Sequence, residues 1–209
     1  TMVATDTHRL TRCRGPWQGT AEGSLLIPVR SLLEVSRLAV NDEDDIIIHA
    51  SNNQAFFSFG NLSFATRLIM GQYPDYHQVI PDNSVFITDV LVERSQLIHS
   101  LERAALISGA VSRGKGNLVR LEISEEGMFV AAESPDEGMI REPLAVTVSG
   151  EALTLNYNAR YLLDVLKVID EERVLLRMSG AYTPGLVLPE SGEEEFLYLL
   201  LPVRVSRPS

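Results

Sequence analysis

The chain has 209 residues, of which 45% are hydrophobic and 22% are charged, and 18 basic against 28 acidic residues give a net charge of −10. This composition is globular and allows about one and a half to two domains, so it excludes a disordered chain and a surface that is basic throughout. The single cysteine, Cys13, excludes an intrachain disulfide, and no apolar run reaches the roughly 18 residues of a membrane helix, so we expect a cytoplasmic protein with no membrane partner.

Short apolar or alternating runs predict β-strands along the chain. They are Asp45–Ala50, Ala55–Phe59, Leu62–Ile69, Val119–Ile123, Met128–Ala132, Leu144–Ser149, Arg173–Met178 and Phe196–Val205. Polar or glycine-containing turns, such as Asn52-Asn53 and Glu125-Glu126-Gly127, separate neighbouring runs. Such short connections are typical of antiparallel hairpins and argue against parallel βαβ units.

Helical spacing is found in three segments, one after Pro28, one at Glu93–Ser108 and one after Asn156 or Asn158. Their apolar residues recur at i, i+3 and i+4, as on the buried face of a helix. They are Leu32, Leu33, Val35 and Leu38 in the first, Leu97, Ile98, Leu101, Ala104, Ala105 and Leu106 in the second, and Leu162, Leu163, Leu166 and Ile169 in the third. Pro28 can occupy the first turn of its helix, and either asparagine can cap the third.

Two of these helices are similar in sequence. Arg30–Arg37 and Arg160–Lys167 share a basic residue, two leucines, an acid, a valine and a second basic residue in the same order. An acidic turn, an apolar strand, a turn and a last strand follow each helix, and similar stretches, Met2–Thr7 and Phe129–Ser134, precede them. The two halves of the chain are therefore predicted to be related repeats.

The repeat sets the expected domain boundaries. Residues 82–205 form one complete unit with two helices, and residues 1–70 supply only the rear part of an equivalent unit. Residues 71–81 connect them, and residues 206–209 form a tail. A unit that begins inside a sheet exposes an unpaired strand edge, so we expect a further piece of protein to cover it.

Several segments resemble the β subunit of bacterial DNA polymerase III, the DNA sliding clamp. They are Ala4–Leu10, Phe64–Ile69, Gly71–Tyr76, Tyr161–Leu166 and Leu201–Val205, in the family's order. The resemblance covers nearly the whole chain and implies an α+β DNA-clamp fold, with antiparallel sheets, helices on one face and about one and a half repeated domains. Clamps of this family are non-catalytic homodimeric rings with three copies of such a domain in each chain. This sequence resembles the rear of the second copy and all of the third, so the chain is expected to be the C-terminal portion of a clamp, without its first domain.

The resemblance implies a surface that faces double-stranded DNA. In the family the helices line the central hole, so the basic residues of the repeated helix would contact phosphates without reading bases. These residues are Arg30, Arg37, Arg160 and Lys167. The competing interpretation is that Glu34 and Asp164, three or four residues away, form intrahelical ion pairs on a solvated face.

A second implied surface is a hydrophobic groove for short peptides of the polymerase catalytic subunit, the clamp loader and other partners. The residues carried over to it are Thr5, Thr7, His8, Arg9, Leu10, Pro74, Gln78, Val79, Leu199, Leu201, Pro202, Val203, Arg204 and Val205. Apolar walls with a few polar groups suit an extended peptide with leucine or phenylalanine anchors. Without the resemblance, the alternation of Leu199, Leu201 and Val203 equally predicts strand residues in a core.

Three groove residues depart from the family pattern. Thr7 stands where the family usually has glycine, Gln78 where a basic residue is frequent, and Val203 where methionine is often found. A β-branched side chain has fewer rotamers than methionine, so we expect the groove to open differently at Val203.

The ring-closing surface would include Leu106 and Ile107, at the end of the second predicted helix. Its partner in the family is the first domain, so this chain alone is expected not to close a ring and to leave both side chains exposed or in another contact.

The alternative function is a stand-alone peptide-binding module that does not encircle DNA.

An enzymatic alternative rests on weak patterns. Asp6-Thr-His8 and Asp75-Tyr-His77 each place an acid two residues before a histidine, which fits a metal site or, more commonly, surface and capping roles. Arg113–Gly116 suggests a phosphate-binding loop but lacks its glycine spacing and the following serine or threonine. We therefore expect no catalytic residue, metal or cofactor.

Overall fold

A computed structural model describes residues 1–19, 23–39, 45–109, 117–192 and 194–205. Its elements are, in chain order, β1 (Met2–Thr5), β2 (Arg9–Cys13), α1 (Val29–Leu38), β3 (Ile47–Ala50), β4 (Gln54–Phe59), β5 (Leu62–Arg67), β6 (Thr88–Glu93), α2 (Arg94–Gly109), β7 (Leu118–Ser124), β8 (Gly127–Ser134), β9 (Gly138–Leu144), β10 (Val146–Gly150), β11 (Leu153–Asn158), α3 (Ala159–Leu166), β12 (Arg173–Met178), β13 (Gly185–Pro189) and β14 (Phe196–Leu200). Short 3-10 turns lie at Tyr76–Gln78 and Asn83–Val85. Residues 113–116, considered as a phosphate loop, and the tail 206–209 lie outside the described residues.

The strands pair into antiparallel sheets. One sheet has the order β1-β2-β14-β13-β12-β6-β10, a second has β11-β7-β8-β9, and a third has β3-β4-β5. Every pairing within them is antiparallel. The predicted α+β class with antiparallel sheets is confirmed.

The chain divides into two compact units. Unit 1 consists of Thr1–Pro16 and Ile80–Ser209, and unit 2 consists of Trp17–Val79. The first two sheets, α2 and α3 belong to unit 1, and α1 and the third sheet belong to unit 2. The first 16 residues therefore pack with the C-terminal part of the chain, whereas the sequence repeat groups them with residues 17–70.

Unit 1 has one continuous core beneath its two helices. Leu97 and Leu101 of α2 and Leu162 and Leu166 of α3 are buried in it together with strand residues of both sheets. The side chain of Asn158 accepts a hydrogen bond from the amide of Arg160 at 3.0 Å. Of the two candidate caps, Asn158 is therefore the one used, and it starts α3 where the buried leucines begin.

Unit 2 has a smaller core between α1 and its sheet. Val35 of α1 packs with Phe57 and other strand residues, and Leu32 lies against them. The predicted stripe is wrong for Leu33 and Leu38, which are exposed. With 3.6 residues per turn Leu33 lies about 160° around the helix from Val35 and faces away from the core, and Leu38 is the last residue of this short helix.

The predicted repeat is present in the topology. Helix α1 is followed by the meander β3-β4-β5, and α3 is followed by the meander β12-β13-β14. The comparison of the two repeats in the sequence predicts two strands after each of these helices, and the structure has three. The two copies of the basic helix therefore stand on equivalent substructures, one in each unit.

Several observed strands were not predicted from the apolar pattern of the sequence. Strand β9 carries Arg141, Glu142 and Pro143, and β13 is a five-residue strand that begins at Gly185. Strand β9 is held as a strand by its pairing with β8. Strand β13 has the short, fully buried apolar run of an interior strand between β12 and β14, which the sequence analysis did not identify. The sequence also does not predict β1, β2, β6 and β11 as strands.

The predicted last strand is too long at its end. Strand β14 stops at Leu200, two residues before Pro202, instead of continuing to Val205. Proline has no amide proton for the ladder, so the chain leaves the sheet there. The predicted run Leu144–Ser149 is likewise divided, with its first residue in β9 and most of the rest in β10.

The core of unit 1 gives a paired stability test on one helix. Leu101 is fully buried and Leu106 is 74% exposed, although both are leucines of α2. We expect Leu101→Ala to lower the free energy of unfolding by about 2–5 kcal/mol, because it leaves a cavity, and Leu106→Ala to change it by less than about 0.5 kcal/mol. Urea denaturation followed by circular dichroism measures both, and equal losses would contradict this position of α2.

Candidate functional site

The turn between β1 and β2 is held by its own side chains. The carboxylate of Asp6 accepts hydrogen bonds from the amides of His8 at 3.2 Å and Arg9 at 3.1 Å. The hydroxyl of Thr5 donates to the carbonyl of Arg9 at 2.8 Å. Asp6 therefore has the capping role that is the alternative to a metal ligand, and the same bonds fix the course of the turn.

Thr7 lies at the tip of this turn with a φ angle of +74°. Among the described residues it is the non-glycine residue with a positive φ. A β-branched residue is strained there by roughly 1–2 kcal/mol, because its Cβ approaches the neighbouring carbonyl oxygen. The geometry explains why glycine suits this position, and it places a threonine side chain at the predicted rim of the groove.

Arg9 fastens the turn to the rest of unit 1. Its guanidinium donates to Asp6 at 2.8 Å, to Asp164 of α3 at 2.6 Å and to the hydroxyl of Tyr198 in β14 at 3.3 Å. The same group lies over the ring of Tyr161, 4.3 Å from its centroid. One side chain thus joins the hairpin, a helix and the last strand by charge-assisted and cation–π contacts.

Burial and the contacts with Arg9 shift the pKa values of two neighbouring groups, Asp6 and Tyr198. Burial raises the pKa of the Asp6 carboxyl, but the hydrogen bonds from Arg9 and from the His8 amide outweigh it and hold the pKa below its usual value. Burial raises the pKa of the Tyr198 hydroxyl to about 12. At neutral pH Asp6 is therefore ionised and the hydroxyl of Tyr198 is neutral.

Strand β2 is an interior strand of the largest sheet. It pairs with β1 on one side and with β14 on the other, and Leu10 faces Leu199 in that register. Leu199 in turn faces Leu186 of β13, and all three side chains are buried. Leu10 and Leu199, both predicted groove residues, therefore belong to a buried row of leucines.

The segment after β14 runs along this hairpin. The amide of Leu201 donates to the carbonyl of His8 at 3.0 Å, and the amide of Val203 donates to the carbonyl of Asn156 at 2.7 Å. Leu201 and Pro202 are half-buried, and Val203 is 39% exposed. The alternation from Leu199 to Val203 is thus a path from the core to the surface, which differs from the continuous core strand considered above.

The outer part of the segment is accessible. Arg204 and Val205 are exposed, and the guanidinium of Arg204 lies 5.8 Å from the ring centroid of Tyr182. On the hairpin side, Thr5, Thr7 and His8 are also exposed, and the ring of His8 stacks on Tyr161 at 6.2 Å. Unit 1 therefore brings together the predicted groove residues of both chain ends.

The remaining predicted groove residues belong to unit 2. Pro74, Gln78 and Val79 are exposed and lie at its last 3-10 turn. The carboxylate of Asp75 accepts hydrogen bonds from the amide of His77 and from the side chain of Gln78, both at 3.1 Å. Asp75 therefore caps a turn, as Asp6 does in unit 1.

The basic residues of the two repeated helices are exposed in each unit. On α1, Arg37 forms an ion pair with Glu34 at 2.8 Å, as the intrahelical interpretation predicts. On α3, Asp164 pairs with Arg9 instead, and in the described part of the chain neither Arg160 nor Lys167 forms an ion pair. The intrahelical interpretation is therefore confirmed for Glu34 and wrong for Asp164.

The two residues predicted for ring closure differ in exposure. Leu106 projects from the end of α2 into solvent, whereas Ile107 is half-buried and packs against the core of unit 1. Of the pair, Leu106 is the accessible apolar group.

Sequence analysis did not identify Asp164 and Tyr198 as part of the site. They lie 155 and 189 positions from Arg9, so no local spacing signals the contact. Within the residues that the structure describes, no group of three or more His, Cys, Asp or Glu side chains is arranged to hold a metal ion. No helix of these residues has the length and apolarity to cross a membrane.

Comparison with known proteins gives consistent matches along the chain. The sequence model for the C-terminal domain of the DNA polymerase III beta subunit matches residues 77–204, and that for its central domain matches residues 1–75. A beta sliding clamp from Streptococcus pneumoniae is 35% identical over 206 residues, which are 98% of this chain and 53% of that protein. The chain spans about half the length of the curated relatives it matches.

Solved structures match equally well. The DNA polymerase sliding clamp from Bacillus subtilis superposes with a TM-score of 0.89 at 28% identity, over 98% of this chain and 53% of that one. A sliding clamp from Pseudomonas aeruginosa, bound to griselimycin, superposes with a TM-score of 0.88 at 28% identity, over 97% of this chain and 54% of that one.

Because the turn is strained at Thr7, a threonine-to-glycine substitution is expected to change the free energy of unfolding in opposite directions at positions 7 and 11. Thr7→Gly is expected to raise the free energy of unfolding by about 1 kcal/mol, because glycine adopts a positive φ without strain. Thr11→Gly, in the interior strand β2, is expected to lower it by about 0.5–1 kcal/mol. Thermal unfolding of the two variants measures the signs, and a loss of stability in Thr7→Gly would refute the strain.

Proposed function

The chain belongs to the DNA polymerase III beta subunit family, the bacterial sliding clamps, and we propose that it forms part of a ring that encircles double-stranded DNA without sequence specificity. In this function the ring carries no catalytic site. It acts in the cytoplasm as a processivity factor, which tethers the catalytic subunit of the polymerase, the clamp loader and other proteins. The observation that carries the proposal is the basic helix, which recurs on equivalent substructures in both units.

The domain organisation supports this assignment. We propose that residues 1–70 are the rear of a middle clamp domain, residues 71–81 a connector and residues 82–205 a C-terminal clamp domain. The central-domain and C-terminal-domain matches change over between residues 75 and 77, inside the proposed connector. The pairing of β2 with β14 then means that a strand of the middle domain extends the sheet of the C-terminal domain.

The DNA contact is carried by exposed charge. Arg30 and Arg37 on α1 are solvent-exposed and lie seven residues apart, and the same holds for Arg160 and Lys167 at α3. Long basic side chains on a helix surface neutralise phosphates by mobile contacts that do not depend on base sequence. A chain with a net charge of −10 then contacts DNA at these local sites and repels it elsewhere, which favours sliding over tight binding.

The peptide groove is supported by the geometry of unit 1. The hydrogen bond from Leu201 to His8 brings the exposed hairpin tip next to the segment Leu201–Val205. Half-buried Leu201 and Pro202 supply apolar surface, and the exposed residues Thr5, Thr7 and His8 supply polar side chains. The contribution of Pro74, Gln78 and Val79 stays a prediction from the resemblance.

We also propose that Leu106 takes part in closing the homodimeric ring. It is a large apolar side chain, 74% exposed, in the last turn of α2. Isolated exposed leucines are common, so the family's ring geometry and not exposure alone motivates this role.

The groove is tested by a charge placed on its apolar wall. A synthetic peptide with adjacent leucine and phenylalanine anchors is titrated against the chain by fluorescence anisotropy. Leu201→Asp is expected to weaken binding by at least about tenfold, because a carboxylate would have to be desolvated beneath the anchor. Met139→Asp, at a 70% exposed site on β9, is the matched control and is expected to leave affinity unchanged. Equal affinities of Leu201→Asp and the unaltered chain would remove the groove.

Encirclement is tested by topology. The clamp, loaded on a circular plasmid as the assembled ring, is expected to stay bound at high salt and to be lost when the plasmid is linearised. Equal retention on circular and linear DNA would favour the stand-alone peptide-binding module instead.

A further inference from the structure

Equivalent acids on the two repeated helices have different partners. Glu34 follows Arg30 by four residues and precedes Arg37 by three, and Asp164 has the same spacing from Arg160 and Lys167. Pairs at i, i+3 and i, i+4 lie side by side on a helix surface. Each acid is therefore able to neutralise a basic residue of its own helix.

The structure shows this neutralisation on α1 and its absence on α3. Glu34 binds Arg37 within its helix at 2.8 Å. Asp164 binds Arg9 at 2.6 Å, and it is the acidic residue of the helix sequence Ala159–Leu166. Arg9 is held by Asp6, Tyr198 and the Tyr161 ring as well, so it is fixed in the place where it meets Asp164.

We propose that Arg9 is a positioning residue for the DNA-facing charge of α3. By binding Asp164 it withdraws the acid from Arg160 and Lys167 and leaves both cations available to phosphates. The inference rests on the proposed DNA contact of α3 and adds a regulator of that contact. Because Arg9 also belongs to the hairpin beside the proposed peptide groove, the two functional surfaces share one side chain.

Loss of Arg9 has a defined consequence. Asp164 is left without its partner and pairs with Arg160 or Lys167, as Glu34 pairs with Arg37 on α1. The effective positive charge of α3 then falls by about one, and electrostatic affinity for DNA falls with it. Without Asp164, loss of Arg9 has no such consequence.

A double-mutant cycle tests this dependence. Binding of the full chain to a short fluorescent duplex is measured by anisotropy at several low salt concentrations. Arg9→Gln is expected to weaken binding by about threefold and to reduce the dependence on salt. In the Asp164→Asn background the same change is expected to weaken binding no more than Arg14→Gln does, because only the general loss of one positive charge remains.

Matched variants separate this effect from charge loss and from misfolding. Arg14→Gln removes a positive charge just beyond β2, at an exposed residue, and is expected to weaken binding less and equally in both backgrounds. The double variant also lacks the Arg9 anchor, so its recovered affinity excludes a damaged hairpin as the cause.

Equal weakening by Arg9→Gln in both backgrounds, or no more weakening than with Arg14→Gln, overturns the role of Arg9 and leaves the DNA-facing assignment intact. Unchanged binding by the double substitution Arg160→Ala and Lys167→Ala overturns the DNA-facing assignment of α3 itself, and the role of Arg9 falls with it.

Discussion

The ion pair between Arg9 and Asp164 anchors the β1–β2 hairpin of unit 1 to α3, 155 positions away in the chain. Around it, the hairpin is completed by Asp6 and by the ring of Tyr161, and β2 takes its place between β1 and β14. The position of the hairpin decides where His8 meets Leu201. Both proposed surfaces therefore depend on the geometry of this contact, the groove directly and the charge of α3 through Asp164.

The two repeated helices have similar sequences, but their acidic residues have different ion-pair partners. The basic helix, its acidic residue and the strands after it recur in both units. Glu34 forms an ion pair with Arg37 of its own helix, whereas Asp164 forms one with Arg9, which lies far away in the chain. An exposed intrahelical pair contributes little to stability and is easily exchanged for phosphate contacts, whereas the Arg9 pair is supported by several neighbours. The two helices are thus expected to offer DNA different net charge despite similar sequences.

Much of the fold follows from sequence periodicity, and the rest depends on contacts that a sequence does not display. The helices, most hairpins and the repeat are predicted by apolar spacing and turn residues. Strand β9 is not, because Arg141, Glu142 and Pro143 interrupt any apolar pattern and its pairing with β8 makes it a strand. Resemblance supplies the groove residues, and unit 1 brings His8 and Leu201 together. Neither approach reveals the positive φ of Thr7 or the partner of Arg9, because threonine does not signal that backbone and 155 positions separate Arg9 from Asp164.

Amide hydrogen exchange of β2 tests most directly whether the hairpin is an integral part of unit 1. The amides of an interior strand donate alternately to its two neighbours, so the β2 amides are expected to exchange as slowly as those of β14. Arg9→Gln is expected to speed exchange in β1, the turn and β2 before it affects β12 and β13. Rapid exchange throughout residues 1–13 of the unaltered chain, with β12 to β14 still protected, would contradict the account.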